Sequence, residues 1–273
     1  MRSKATTVSE AVDTRMSVRG FTNQPVDGAV IRRVLEKAAR SPSGGNVQPW
    51  QLYVVGGDDL KAFKEIMATR VKEAPTGEDP EYNVYPPGLK APYRDYRFQV
   101  GEDMYGLLGI PREDKAARMG WFARNYQFFG APLSLFCYVD RQMGPPQWSD
   151  LGMYLQTVML LLREEGMDSC AQECWSLYHR TLKDFLNPPD DLMLFTGMSI
   201  GYMDEEDPVN ELRTRRAALD PTAADFYAAY GRLVVFRSGA TPVPLLVGAL
   251  ARDLPQRAQG LARTVRVAHE LAD

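Results

Sequence analysis

Leu151, Leu155, Val158, Met159 and Leu162 recur at helical spacing and form the longest apolar stripe in the chain, closed by Gly166 at the C′ position. Ser149 or Asp150 is placed to cap its start. A helix this apolar is stable only when covered, which makes it a central, buried element. Two continuous apolar runs, residues 133–139 after Pro132 and residues 192–202, read as strands buried on both faces. Helices alternate with strands and outnumber them, so the predicted fold class is α+β, one central sheet with helices on both faces.

Residues 1–13 read as a short flexible start leading into a helix. Asp27 is predicted to cap a helix whose Val30, Ile31, Val34, Leu35 and Ala38 share one face. Residues 52–55 form a short buried strand closed by Gly56 and Gly57, and Asp58 or Asp59 caps a second helix carrying Leu60, Phe63, Met67 and Val71. Residues 74–92 gather prolines around Tyr82 and Tyr85, an excursion from the body, since helical pattern resumes at once. Helices near 94–108 and 112–128 carry more aromatics than two helices usually bury, so part of that set is expected to line a pocket or a subunit interface. Trp50 and Phe21 read as core. Residues 169–175 are a strand or turn, 178–187 a short helix and 203–216 a charged loop. The predicted organisation is one domain over 1–236 with a helical excursion over 74–129. A tail follows, 237–273, whose Ala, Arg, Pro and Leu texture suits either an arm on another subunit or poor order.

The formal net charge of the 273 residues is -3, with both signs mixed along the chain, which argues against a nucleic-acid surface. The amino terminus is polar, and no apolar run approaches the roughly eighteen residues of a membrane span, so a soluble, cytoplasmic protein is expected. Three cysteines, Cys137, Cys170 and Cys174, cannot all pair, and with only His179 and His269 beside them a zinc site is hard to complete. Cys174 with His179 as nucleophile and base is the weaker reading against buried free cysteine. Glu164 with Glu165, and Glu205 with Glu206, read as a charged helix face and a charged loop.

Two polar stretches stand apart from this core pattern. Residues 40–51 read Arg-Ser-Pro-Ser-Gly-Gly-Asn-Val-Gln-Pro-Trp-Gln, where Pro42, Gly44, Gly45 and Pro49 exclude regular structure. Ser43, Asn46 and Gln48 offer hydrogen bonds, and the two glycines let a flat ligand approach the backbone. Upstream, Arg15, Ser17 and Arg19 alternate, so in extended chain two guanidiniums and a hydroxyl share one face.

Together these stretches resemble the nitroreductase family of FMN-dependent flavoproteins, which carry Arg-x-Ser-x-(Arg or Lys)-x-Phe near the start and Ser-x-x-Asn-x-Gln-Pro-Trp further on. Residues 12–219 follow the family pattern. The resemblance implies a three-layer α-β-α sandwich with a mostly antiparallel sheet, in a homodimer with FMN at the subunit interface. It implies that Arg15 lies near the ribityl-phosphate, that Ser17 hydrogen-bonds the flavin, and that Arg19 stands at its N1/O2 edge, where a fixed cation favours the reduced anion. Residues 166–173 resemble the segment whose backbone passes beneath the flavin. This makes Gln172, Glu173 and Cys174 cofactor-binding, with Cys174 where glycine is usual. The Pro-x-Asn-x-x-Arg-x-x-Arg pattern of the charged loop implies Arg213 and Arg216 as phosphate ligands, with Arg215 as a rival. Pro42, Ser43 and Asn46 would reach the FMN of the other subunit, and Tyr93, Tyr96 or Phe122 would roof its open face.

The implied activity is hydride transfer from NADH or NADPH through FMN to a small nitroaromatic acceptor by a ping-pong mechanism, with no catalytic side chain and no metal. Residues 101–125 and 147–152 look most like a subgroup acting on nitrobenzoates. The alternatives are another reaction on the same scaffold, such as reductive dehalogenation, enone reduction or flavin fragmentation, and a flavin-binding protein without turnover.

Overall fold

Strand β2 (Leu133–Asp140) is buried along almost its whole length because both of its faces are covered. Leu133, Leu135, Cys137 and Val139 belong to one core layer, Phe136 and Tyr138 to the other. That alternation puts a period-two strand through the middle of a sandwich. The computed structural model describes residues 2–217, and the predicted tail 237–273 lies outside them. Of these, residues 2–89 and 97–213 make one compact unit, and 90–96 with 214–217 belong to a second.

In the first unit, β1 (Gln51–Gly56), β2, β3 (Asp168–Gln172) and β4 (Leu192–Gly201) form a four-stranded sheet in the order β1-β2-β4-β3, every neighbouring pair antiparallel. One face is covered by α2 (Gly28–Ala38) and α6 (Pro145–Glu164). The other carries α3 (Gly57–Glu73), the 3-10 stretches 124–130 and 173–178, and α7 (His179–Leu186). Asp27 caps α2 through Ala29 N, as its position predicted, and Leu151, Leu155, Val158 and Leu162 of α6 are buried. Gly166 adopts φ +78 just beyond α6, with Met167 N donating to Leu162 O, so the predicted left-handed stop holds. Trp50 stacks on Tyr154 at 4.7 Å and Phe21 is buried, both as core. Among the described residues no helix is long and apolar enough to cross a membrane.

Several local expectations are corrected. The chain start is anchored, because Arg163 and Asp168 are buried and need partners. Arg2 Nη1 meets Asp168 Oδ1 at 2.6 Å, Arg163 Nη2 donates to Ser3 O, and Ala5 N donates to Arg163 O. The following α1 (Val8–Thr14) has a full capping box between Thr7 and Glu10. α6 begins at Pro145 rather than near residue 150, since Gly144 N finds an acceptor in Gln147 Oε1 at 3.2 Å and Asp150 is turned toward Gly44. α3 is capped at Gly56, with Asp58 and Asp59 in its first turn. The predicted helix 112–128 ends as α5 (Lys115–Ala123), capped by Asp114. Beyond it Phe128 and Phe129 adopt left-handed backbone, φ 54 and 52, which sends both rings into the core.

The excursion is tied down by Glu78. Burial alone would raise its carboxyl; the Thr181 hydroxyl and amide and the Arg70 guanidinium outweigh burial and hold it below the ordinary carboxylate range. Arg180 N donates to it as well, so this acid caps α7 from a distant loop. A depressed folded-state pKa contributes stability that is complete above the unfolded value and is lost as pH falls through the folded one. Glu78→Gln is therefore expected to lower Tm at neutral pH and to flatten the acid limb of a Tm-against-pH profile. An unchanged acid limb in the variant would remove Glu78 from that account.

Candidate functional site

The site is built on the free edge of β3. Ser17 pairs in parallel with Ser169, and Val18 N donates to Ser169 O at 3.1 Å. Parallel register carries Arg19 toward the Gln172 end of the strand. Met16, Val18 and Gly20 are buried while Arg15, Ser17 and Arg19 remain half-exposed, so the two guanidiniums and the hydroxyl occupy the outward face. Both guanidiniums lie close enough to Cys170 to counter the upward push that burial gives its thiol.

Asn210 fixes this stretch. Its Oδ1 accepts from Arg19 N at 2.9 Å, and its Nδ2 donates to Gly20 O and to Asp204 O, each at 2.8 Å. Gly20 is required there, because a Cβ would stand 2.4 Å from Asp207 Oδ2. The Arg19 guanidinium also folds back on Ser17 O at 3.1 Å. Beneath, the ionic cluster of Arg2, Arg163 and Asp168 grips the turn before Arg15, with Arg2 Nη2 donating to Thr14 O at 2.7 Å. Burial raises the Asp168 carboxyl despite the two guanidiniums that pull it down. Arg213 Nη2 reaches the same turn, donating to Asp13 O at 2.8 Å.

At the other end of β3, Gln172 is buried and its amide is fully committed. Nε2 donates to Asn125 O at 2.7 Å, and Oε1 accepts from Ser199 Oγ at 2.5 Å. At this end of the strand Glu173 is exposed and Cys174 half-buried, and partial burial raises the Glu173 carboxyl. Burial pushes the Cys174 thiol up to about 12, and the ring nitrogens of His179 face Glu81 Oε2 and Asp79 O, so the two are not paired as nucleophile and base.

The structure thus gathers Arg15, Ser17, Arg19, Gln172, Glu173, Cys174 and Arg213. Phe122 stands one ring away, edge-on to Tyr126, which in turn packs on Trp175. Pro42, Ser43 and Asn46 are held elsewhere, against the start of α6: Gly44 N donates to Asp150 Oδ2 at 3.2 Å, and Gln48 N to Ser43 Oγ at 2.9 Å. Gly45 and Asn46 take φ 59 and 56, the left-handed backbone that glycine and asparagine tolerate best. Tyr93, Tyr96 and Arg216 belong to the second unit, where Arg216 Nη1 donates to Thr214 Oγ1 at 2.6 Å. Asn125 and Asp168 entered the sequence reading only as members of longer motif stretches, and Asp207, Arg2 and Arg163 were not singled out. Their roles depend on long-range pairing, and only Asn210 had a signal, its place in the charged-loop pattern.

A two-guanidinium rung is thus pinned to one edge of an antiparallel sheet that carries helices on both faces. A profile of the Nitroreductase family matches residues 12–202, and the chain belongs to that family. Among individual relatives, it is 34% identical over 217 residues to the nitrobenzene nitroreductase of Ectopseudomonas oleovorans, covering 78% of this chain and 94% of that one. It is 34% identical over 205 residues to the 4-nitrobenzoate reductase of Pseudomonas putida, covering 75% and 89%. The crystal structure of the FMN and NADPH-dependent nitroreductase NfnB from Sphigopyxis sp. strain HMH superposes with a TM-score of 0.75 at 50% identity, covering 78% of this chain and 95% of the other.

Proposed function

We propose that this chain is an FMN-dependent NAD(P)H nitroreductase acting on nitroaromatic compounds. The observation that carries the reading is the Arg15-Ser17-Arg19 rung fixed to β3 by Ser169 and Asn210. Its donor chemistry fits FMN. Arg213 donates to Asp13 O in the last turn of α1, close along the chain to Arg15; guanidinium forks suit a phosphate dianion, and Ser17 adds a hydroxyl for the ring. Arg19, with its main chain locked, offers a cation that need not reorganise. The main chain of Glu173–Cys174 supplies the amide edge, and Arg216 is added from the sequence pattern alone.

Bound FMN supplies the hydride relay between nicotinamide and nitroarene. The protein's part is to hold, orient and exclude water, with no side chain acting as nucleophile. Ping-pong order, in which the nicotinamide leaves before the acceptor enters the same face, belongs to this proposal.

A homodimer completes it, with Pro42, Ser43 and Asn46 serving the FMN of the other subunit. That loop is held by α6 instead of β3, as a contribution in trans requires. Helices α4 (Tyr93–Leu107) and α5 bury none of their residues, and Tyr93, Tyr96 and Phe122 are 65%, 47% and 45% exposed. Such rings suit a flavin roof and a subunit contact. A cytoplasmic location goes with the reading.

Purified protein should be yellow, release FMN on denaturation, elute as a dimer and oxidise NADPH when 4-nitrobenzoate is added. A colourless monomer that takes up no FMN would end the proposal; an FMN-loaded dimer that oxidises NADPH with no nitroarene would redirect it to other chemistry on the same scaffold.

A further inference from the structure

Four arginines of the excursion lie over aromatic rings: Arg97 on Tyr85, Arg112 on Phe98, Arg118 on Tyr105 and Arg124 on Trp121. They are not equivalent. Arg118 is spent on Glu102, with contacts of 2.6 and 3.4 Å. Arg124 is the one tied to the candidate site. The next residue, Asn125, receives Gln172 Nε2 through both its backbone and its side-chain oxygen, which pins Arg124 beside the end of β3. On its other side Arg124 Nη2 faces Asp207 Oδ2, the carboxylate packed on Gly20 next to Arg19.

The contact to Asp207 is 3.8 Å, well beyond a charge-assisted hydrogen bond, and the Arg124 side chain is 40% exposed. Its Cζ sits 4.2 Å from the Trp121 ring centroid, so the guanidinium is fixed without using its N–H donors. A half-exposed cation held this way, with one amino group toward Asp207, can receive a planar oxyanion attached to an aromatic ring.

We propose that Arg124, stacked on Trp121, is a specificity-determining residue that binds the ring carboxylate of nitroaromatic acids and so favours them over neutral nitroarenes. This rests on the nitroreductase reading above and names the acceptor class within it.

The test uses FMN-loaded enzyme and measures equilibrium binding of 4-nitrobenzoate and nitrobenzene by flavin difference absorbance without NADPH, then steady-state kinetics with both. Arg124→Gln is expected to weaken 4-nitrobenzoate binding about tenfold to a hundredfold and to raise its KM with little change in kcat, while nitrobenzene stays within about twofold. Arg124→Lys should recover part of the loss, since it restores charge without the fork. FMN content and Tm serve as folding controls for both variants. Equal weakening for the two acceptors, no weakening for either, or a loss confined to NADPH relative to NADH would overturn the assignment and leave the nitroreductase reading standing. Wild-type enzyme that holds FMN yet neither binds nor reduces any nitroarene would instead remove the parent reading.

Discussion

Arg19→Ala is expected to raise the Kd for FMN about tenfold to a hundredfold, the loss of a charge-assisted contact worth roughly 1.5–3 kcal/mol. Its backbone amide is held by Asn210 Oδ1 and its neighbour Gly20 by Asn210 Nδ2, so truncating the side chain leaves the main chain in place. The loss should therefore appear as affinity, read by flavin fluorescence quenching on titrating apoprotein, with the apoprotein Tm unchanged. Arg15→Ala should behave alike, and the double variant should purify nearly colourless. Arg19→Lys keeps the charge but not the fork, so partial recovery is expected. Unaltered FMN affinity in both single variants would place the cofactor away from the β3 edge.

Trp175→Ala is expected to cost about 3–5 kcal/mol, the usual penalty for emptying a buried aromatic site. Trp175 is fully buried among Phe128 at 4.7 Å, Tyr126 at 5.2 Å and Phe136 at 5.3 Å. For a domain of this size that lowers Tm by roughly 6–20 °C. The indole lies on Gly197, where a Cβ would stand 2.3 Å from Trp175 Cδ1. Gly197 cannot retreat, because β4 pairs there with Phe136 on one side and Gln172 on the other. Gly197→Ala alone should then destabilise by about 1–3 kcal/mol or more through overpacking. In the double variant the added methyl enters the space that the indole left, so the two losses should sum to more than the double variant shows. Strict additivity in denaturant unfolding would mean that the backbone absorbs the clash elsewhere.

The parts of the fold that follow from local pattern were legible. The buried stripe of α6, its glycine stop, the Asp27 cap and the apolar runs of β2 and β4 all depend on spacing within one segment, which the sequence displays. The misread boundaries share a cause. α6 starts at Pro145 because Asp150 is occupied by a loop a hundred residues upstream, and the chain start is ordered because Arg163 and Asp168 are buried and draw in Arg2. A cap or a flexible end is assigned from neighbours in sequence; it is decided by whichever distant group satisfies the side chain.

The candidate site divides the same way. Arg15, Ser17 and Arg19 share a face by strand periodicity, and the family motifs name their relatives, so the sequence alone settles the family and the residue types. Which groups meet was a tertiary decision. Pairing of Ser17 with Ser169 and capture of Asn125 by Gln172 join segments 152 and 47 residues apart, and these contacts bring Arg124 to the rim of the site. Periodicity reports which way a side chain points along its own element. What it then faces depends on packing between elements, where buried hydrogen bonds and ion pairs select one arrangement.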